Sequence, residues 1–94
     1  MALARVVTFE GVDAARMQQL NDEIQGGGPP EGVPAREILV LHDADASQAV
    51  VILFFENEDD YARGDVALNA MPAGDTPGRR ASVGRYDVVA RMTA

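Results

Sequence analysis

The chain has 94 residues, enough for one domain with a modest core and too few for two, so 1–94 reads as a single unit. It lacks cysteine, which excludes a disulfide framework, a thiolate metal site and a cysteine nucleophile. Its net charge of −7, with arginine as the only strongly basic residue type, argues against nucleic acid and anionic lipid as partners, since both are held by an excess of basic side chains.

Arg5-Val6-Val7-Thr8-Phe9 is rich in β-branched and aromatic residues and ends at Glu10-Gly11, which predicts a first strand and its exit turn. No basic region with a long apolar segment precedes it, and no apolar run approaches the roughly 18 residues of a membrane span. The expectation is therefore a cytoplasmic protein with no membrane partner. Asp13 is placed to cap a helix, and Met17, Leu20 and Ile24 recur at spacings of three and four, predicting one buried stripe. Gly26 closes this helix, and Pro29 and Pro30 prevent its resumption. The glycine and proline segment from Gly26 to Pro34 follows a helix and leads to a strand, the reverse of a phosphate-binding loop, and reads as a connector rather than a lid.

Glu37-Ile38-Leu39-Val40-Leu41 predicts a second strand, and the polar link from His42 to Ser47 predicts a hairpin turn. Next comes the run Ala49-Val50-Val51-Ile52-Leu53-Phe54-Phe55, the third strand, which is apolar on both faces: Val50, Ile52 and Phe54 point one way, Val51, Leu53 and Phe55 the other. Asn57 is a helix cap, with Glu58, Asp59 and Asp60 in the first turn where the helix dipole favours negative charge. Tyr61, Gly64, Leu68 and Met71 form its buried stripe, and the mid-helix glycine signals close packing against the sheet or a partner. Pro72 ends the helix, Ala73 to Arg80 forms a second loop, and Ser82 to Met92 is the last strand, with Gly84, Tyr86, Val88, Ala90 and Met92 on one face and Arg85, Asp87 and Arg91 on the other.

Strand, helix, strand, strand, helix, strand is the order of the split βαβ, or ferredoxin-like, unit: an α+β fold with a four-stranded antiparallel sheet. Right-handed crossovers place the first and third strands in the centre. Both helices then lie on one face, and the other face of the third strand is left wet. Exposing three such side chains forgoes about 4 to 9 kcal/mol, comparable with the stability of a small domain. A homodimer is predicted, its two sheets packed face to face into a barrel-like core.

Gly64-Asp65-Val66-Ala67-Leu68-Asn69-Ala70-Met71-Pro72, Thr76-Pro77-Gly78-Arg79-Arg80 and Ser82-Val83-Gly84-Arg85-Tyr86, set in this element order, resemble segments of small uncharacterised bacterial members of the dimeric α/β-barrel superfamily, relatives of the antibiotic-biosynthesis-type monooxygenases. The resemblance implies a dimeric α/β barrel with a ligand pocket between each sheet and its helices.

His42, the only histidine, is the one side chain whose ordinary pKa suits acid or base work near neutrality. With Tyr86 it makes the candidate catalytic set; Asn69, Tyr61 and Arg85 are the candidate ligand-binding residues. Arg79 and Arg80 either hold a carboxylate as a paired fork or, the reading preferred, pair with surface acids. Arg85, Asp87 and Arg91 suggest an ion-pair ladder across the dimer or, second, a polar pocket wall. One histidine among scattered carboxylates gives no metal-ligand spacing, and no cofactor is expected. The leading expectation is a small-molecule-binding or structural homodimer with a small organic ligand. The alternative is a cofactor-independent monooxygenase or isomerase acting on an aromatic or polyketide-like substrate.

Overall fold

The computed structural model describes residues 2–72 and 76–93, in the order β1 (Leu3–Glu10), α1 (Ala14–Gly27), β2 (Glu37–Asp43), β3 (Gln48–Phe55), α2 (Glu58–Asn69) and β4 (Arg79–Asp87). The sheet order is β2-β3-β1-β4 and every pairing is antiparallel, so the ferredoxin-like arrangement with β1 and β3 at its centre is present. The sheet is open, and β2 and β4 are its edges. One chain does not close a barrel.

Period-two alternation divides the sheet cleanly. Leu3, Arg5, Val7 and Phe9 of β1 and Ala49, Leu53 and Phe55 of β3 are buried on the face that carries the helices. Val6, Val50, Ile52 and Phe54 are half-buried on the opposite face, beside the exposed Leu39, Leu41 and Tyr86. The core on the helix side is in two parts: Leu3, Val33, Leu53, Phe55 and Tyr61 under α2, and Val7, Phe9, Val12 and Ala49 near α1.

Asn57 and Asp13 cap their helices, their side chains accepting from the amides of Asp60 at 2.8 Å and Arg16 at 2.7 Å. Helix α1 runs to Gly27, one residue past the expected stop, because Gly28 takes a positive φ of 73° that glycine adopts without strain and donates its N–H to the Ile24 carbonyl. On α2, Gly64 lies directly on the Phe55 ring: a Cβ there would stand 2.5 Å from Phe55 Cε1. The glycine marks close packing against the sheet.

The glycine and proline segment is fastened at its far end. Gly32, at φ 80°, completes a turn in which the Val33 amide donates to the Pro30 carbonyl at 3.1 Å, and Val33 enters the core. The β2–β3 turn is held by Asp43, whose carboxylate accepts from the Ala46 amide at 3.2 Å, and by Ser47 at φ 53°, whose carbonyl accepts from the Val12 amide at 2.9 Å.

Strand β4 departs most from expectation. Of the predicted second loop, 73–75 lie outside the described residues, and Arg79 and Arg80 belong to the strand. The strand ends at Asp87 instead of Met92 because its only neighbour, β1, begins at Leu3, the register partner of Asp87. Beyond that point Val88 donates one last bond to the Ala2 carbonyl. The tail then reaches the far edge of the open face, where the Arg91 guanidinium lies 4.5 Å from the Phe54 ring centroid and pairs with Glu37. Arg85 also pairs within the chain, with Glu58 at 2.8 Å, so neither arginine is left over for the inter-subunit ladder suggested by their alternation.

A bulge completes the strand. Thr8 pairs with Ser82 but Phe9 pairs with Arg80, leaving Ala81 as the extra residue. Without it Arg80 would share the open face with Ser82, Gly84 and Tyr86. With it, Arg80 stands opposite Phe9, on the helix side.

Candidate functional site

Only the first residue of the α1 apolar stripe, Met17, packs against the core cluster of Val7, Phe9, Val12 and Ala49. None of the helix's residues is buried, and Leu20 and Ile24 instead form one wall of a cavity of about 360 Å³ between helix and sheet. Val7, Phe9, Ile38, Val51 and Leu53 of the sheet make the floor. Leu68, Met71 and Pro30 close the sides, and Thr76 to Arg80 form one end. This is the size and lining of a small-molecule site.

The polar groups converge at one place. Arg5 enters from the central strand and is 2% exposed. Its Nε donates to Asp65 at 2.9 Å and its Nη2 to the Asn69 Oδ1 at 3.0 Å. The same Asn69 oxygen accepts from Arg80 Nη2 at 2.6 Å. Two guanidinium groups thus share one neutral acceptor. Arg5 has its own carboxylate in Asp65; among the described residues Arg80 has none, its side chain bonding only to Asn69. Arg79, next in the chain, is paired with Glu10 at the surface, as the preferred reading of that arginine had it.

Of the candidate catalytic and ligand-binding residues nominated from the sequence, Asn69 lines this cavity, as do Arg79 and Arg80 of the suggested fork. His42 is exposed at the end of β2, opposite Ala49, and Asp43 beside it is committed to the turn. Tyr86 is on the open face, 57% exposed, with its ring across Gly84. His42 and Tyr86 therefore occupy opposite edges, faces and ends of the sheet. Tyr61 and Arg85 do meet, but elsewhere: the Arg85 guanidinium stands 5.1 Å from the Tyr61 ring centroid, and Tyr61 is edge-on to Phe55 at 5.4 Å. No group of three or more acid, histidine or cysteine side chains placed to hold a metal occurs among the described residues.

Burial raises the Tyr61 phenol above the usual tyrosine range; the nearby Asp65 carboxylate adds to this, while Arg5 and Arg85 oppose it. Tyr61 favours the neutral form in the folded chain, so its contribution to stability is complete below pH 10 and is lost as pH rises through its folded pKa. In a Tyr86→Phe variant, where Tyr61 is the remaining tyrosine, alkaline absorbance titration is expected to give a midpoint above 10. A midpoint at or below that value would contradict the assignment.

Arg5 is the site residue that the sequence reading missed, and Arg80 is one it weighed as half of a carboxylate fork but assigned to surface acids. Arg5 shares the odd-numbered face with Val7 and Phe9, and that alternation was the available signal. The Arg79-Arg80 pair marked Arg80 as a possible anion holder, but its direction depends on the bulge at Ala81. Among the described residues no helix is long and apolar enough to cross a membrane. Comparison with family models, curated proteins and solved structures finds no match to this chain, so of the resemblance noted in its residues the ferredoxin-like architecture alone has structural support.

Proposed function

We propose that this protein binds a small organic molecule between its sheet and helices, and does so as a homodimer joined through the open sheet faces. The observation that carries the binding reading is the cavity of about 360 Å³ beneath α1, where Leu20 and Ile24 border space instead of packed side chains. Well-packed domains rarely leave such a void unfilled. Binding is favoured over turnover because the described lining residues are aliphatic or aromatic apart from Arg5, Asn69, Thr76, Arg79 and Arg80, with no histidine, carboxylate or tyrosine to move a proton. The dimer reading rests on Leu39, Leu41, Val50, Ile52 and Tyr86, an apolar surface that a second copy would cover, with Arg91 already over Phe54 at its rim. Two such sheets would together make the barrel that one chain leaves open.

Native mass spectrometry of protein purified from its own host is expected to reveal a retained small molecule. A Leu20→Trp variant, whose indole fills the cavity, is expected to have lost it while keeping the wild-type circular dichroism spectrum. Bare chain masses for the wild type, together with no uptake of a neutral apolar dye, would overturn the reading.

A further inference from the structure

The cavity has a charge selectivity that its apolar walls alone do not imply, and we infer that its ligand is an organic anion, a carboxylate joined to an apolar body, with the carboxylate seated between Arg5 and Arg80. This rests on the binding reading above and adds the class of ligand.

Three features converge on it. The first is segregation of charge. In a chain with 15 acidic residues against 8 basic ones, none of the described lining residues is acidic, and of the three lining arginines Arg5 pairs with Asp65 behind the wall, Arg79 with Glu10 at the surface, and Arg80 bonds to the neutral Asn69. The second is the burial of Arg5. A guanidinium is costly to remove from water, and a neutral strand residue would serve a purely structural floor better. Asp65 and Asn69 engage Nε and Nη2, and a guanidinium has five N–H donors, so donors remain at the cavity wall. The third is the bulge at Ala81, which sends Arg80 to the helix side and brings its Nη2 to the oxygen already used by Arg5.

Two cations on one neutral amide oxygen repel one another, and a carboxylate with two acceptor oxygens relieves that repulsion by accepting from both. Asn69 then acts as the hinge of the clamp: its amide oxygen holds the two guanidinium groups in place when no anion is there. The floor of the cavity, Phe9, Val51 and Leu53, offers no side-chain hydrogen-bonding group and suits an aliphatic or aromatic body. Arg80 is exposed and Arg5 is buried, which orients the ligand. Its carboxylate faces the gap between α2 and β4, and its body lies under α1.

Isothermal calorimetry with two matched pairs tests the assignment: octanoate against octanol, and 4-phenylbutyrate against 4-phenylbutanol. The acid of at least one pair is expected to bind tenfold or more tightly than its alcohol. Arg80→Gln, at an exposed position, should bring that acid down to the level of its alcohol and leave the alcohol unchanged. Arg5→Met, an apolar replacement of similar length, should do the same if the variant retains the wild-type circular dichroism spectrum. Equal binding of acids and alcohols, abolished by Leu20→Trp, would overturn the anion assignment and leave the cavity reading standing. Failure of all four compounds to bind would remove both. Tighter acids that are indifferent to Arg80→Gln and Arg5→Met would place the anion elsewhere and overturn the clamp.

Discussion

Replacing Ile52 with glutamate is expected to weaken self-association by about a thousandfold or more, turning a species of twice the 10.0 kDa chain mass into a single chain at micromolar concentration. Ile52 lies at the middle of the open face, with Leu39 and Val6 as its cross-strand neighbours. In a symmetric pair each substitution enters twice, so two carboxylates would be desolvated close together, and a penalty of about 4 kcal/mol corresponds to three decades of affinity. The isolated chain should tolerate the change, because Ile52 is only half-buried there and a charge at that site stays in water. Light scattering and circular dichroism separate the two effects. A wild-type protein that scatters as one chain, or a variant that remains paired, would remove the argument from the apolar face.

The largest effect on folding is expected at Phe55. It is 1% exposed, lies on Gly64 and meets Tyr61 edge-on, so Phe55→Ala should cost about 3–5 kcal/mol, a large share of the 5–15 kcal/mol typical of a domain. Gly64→Ala has a sign that depends on it. Helix propensity favours alanine by about 1 kcal/mol, but the new Cβ would stand 2.5 and 2.6 Å from two atoms of a ring that is fully enclosed, and overpacking of this kind costs about 1–3 kcal/mol. In the wild-type background Gly64→Ala should therefore be neutral or destabilising. In the Phe55→Ala background, where the ring is gone, it should stabilise. A double-mutant cycle by urea denaturation measures the difference directly, and equal effects in both backgrounds would show that ring and helix do not contact as described.

Much of the fold could be read in the residues because single patterns decide it. The doubly apolar run at Val50 to Phe55 identifies a central strand, and Asn57 with its three acids identifies a helix start. Gly64 signals close approach, and the ring beneath it proves to be Phe55. The site was less legible for reasons that are also physical. Met17, Leu20 and Ile24 have the same periodicity whether a helix touches the core or stands away from it, so the pattern predicts a buried stripe and is silent about the space below. Arg80 turns on a one-residue insertion relative to β1, a property of two strands together that neither carries alone. His42 drew notice through its chemistry, yet it sits at an exposed strand end, and nothing in a single histidine's sequence position indicates which face or edge it will occupy.

The hairpin turn between β2 and β3 acquires a further meaning from the strand it leads into. In most half-buried strands a slip of one residue exchanges apolar for polar side chains and is thereby forbidden. From Val50 to Phe55 such a slip exchanges apolar for apolar, so hydrophobicity supplies little information about alignment. That information must reside in features that distinguish neighbours. One is the fit of the Phe55 ring, rather than Phe54, under Gly64; another is the turn itself, where the Asp43 carboxylate and the left-handed Ser47 fix the count of residues before pairing begins. An exposed polar turn thus acts as the index mark of the sheet, selecting which of two nearly equivalent faces of β3 meets the cavity under the helices and which is the open face proposed to pair with a second copy.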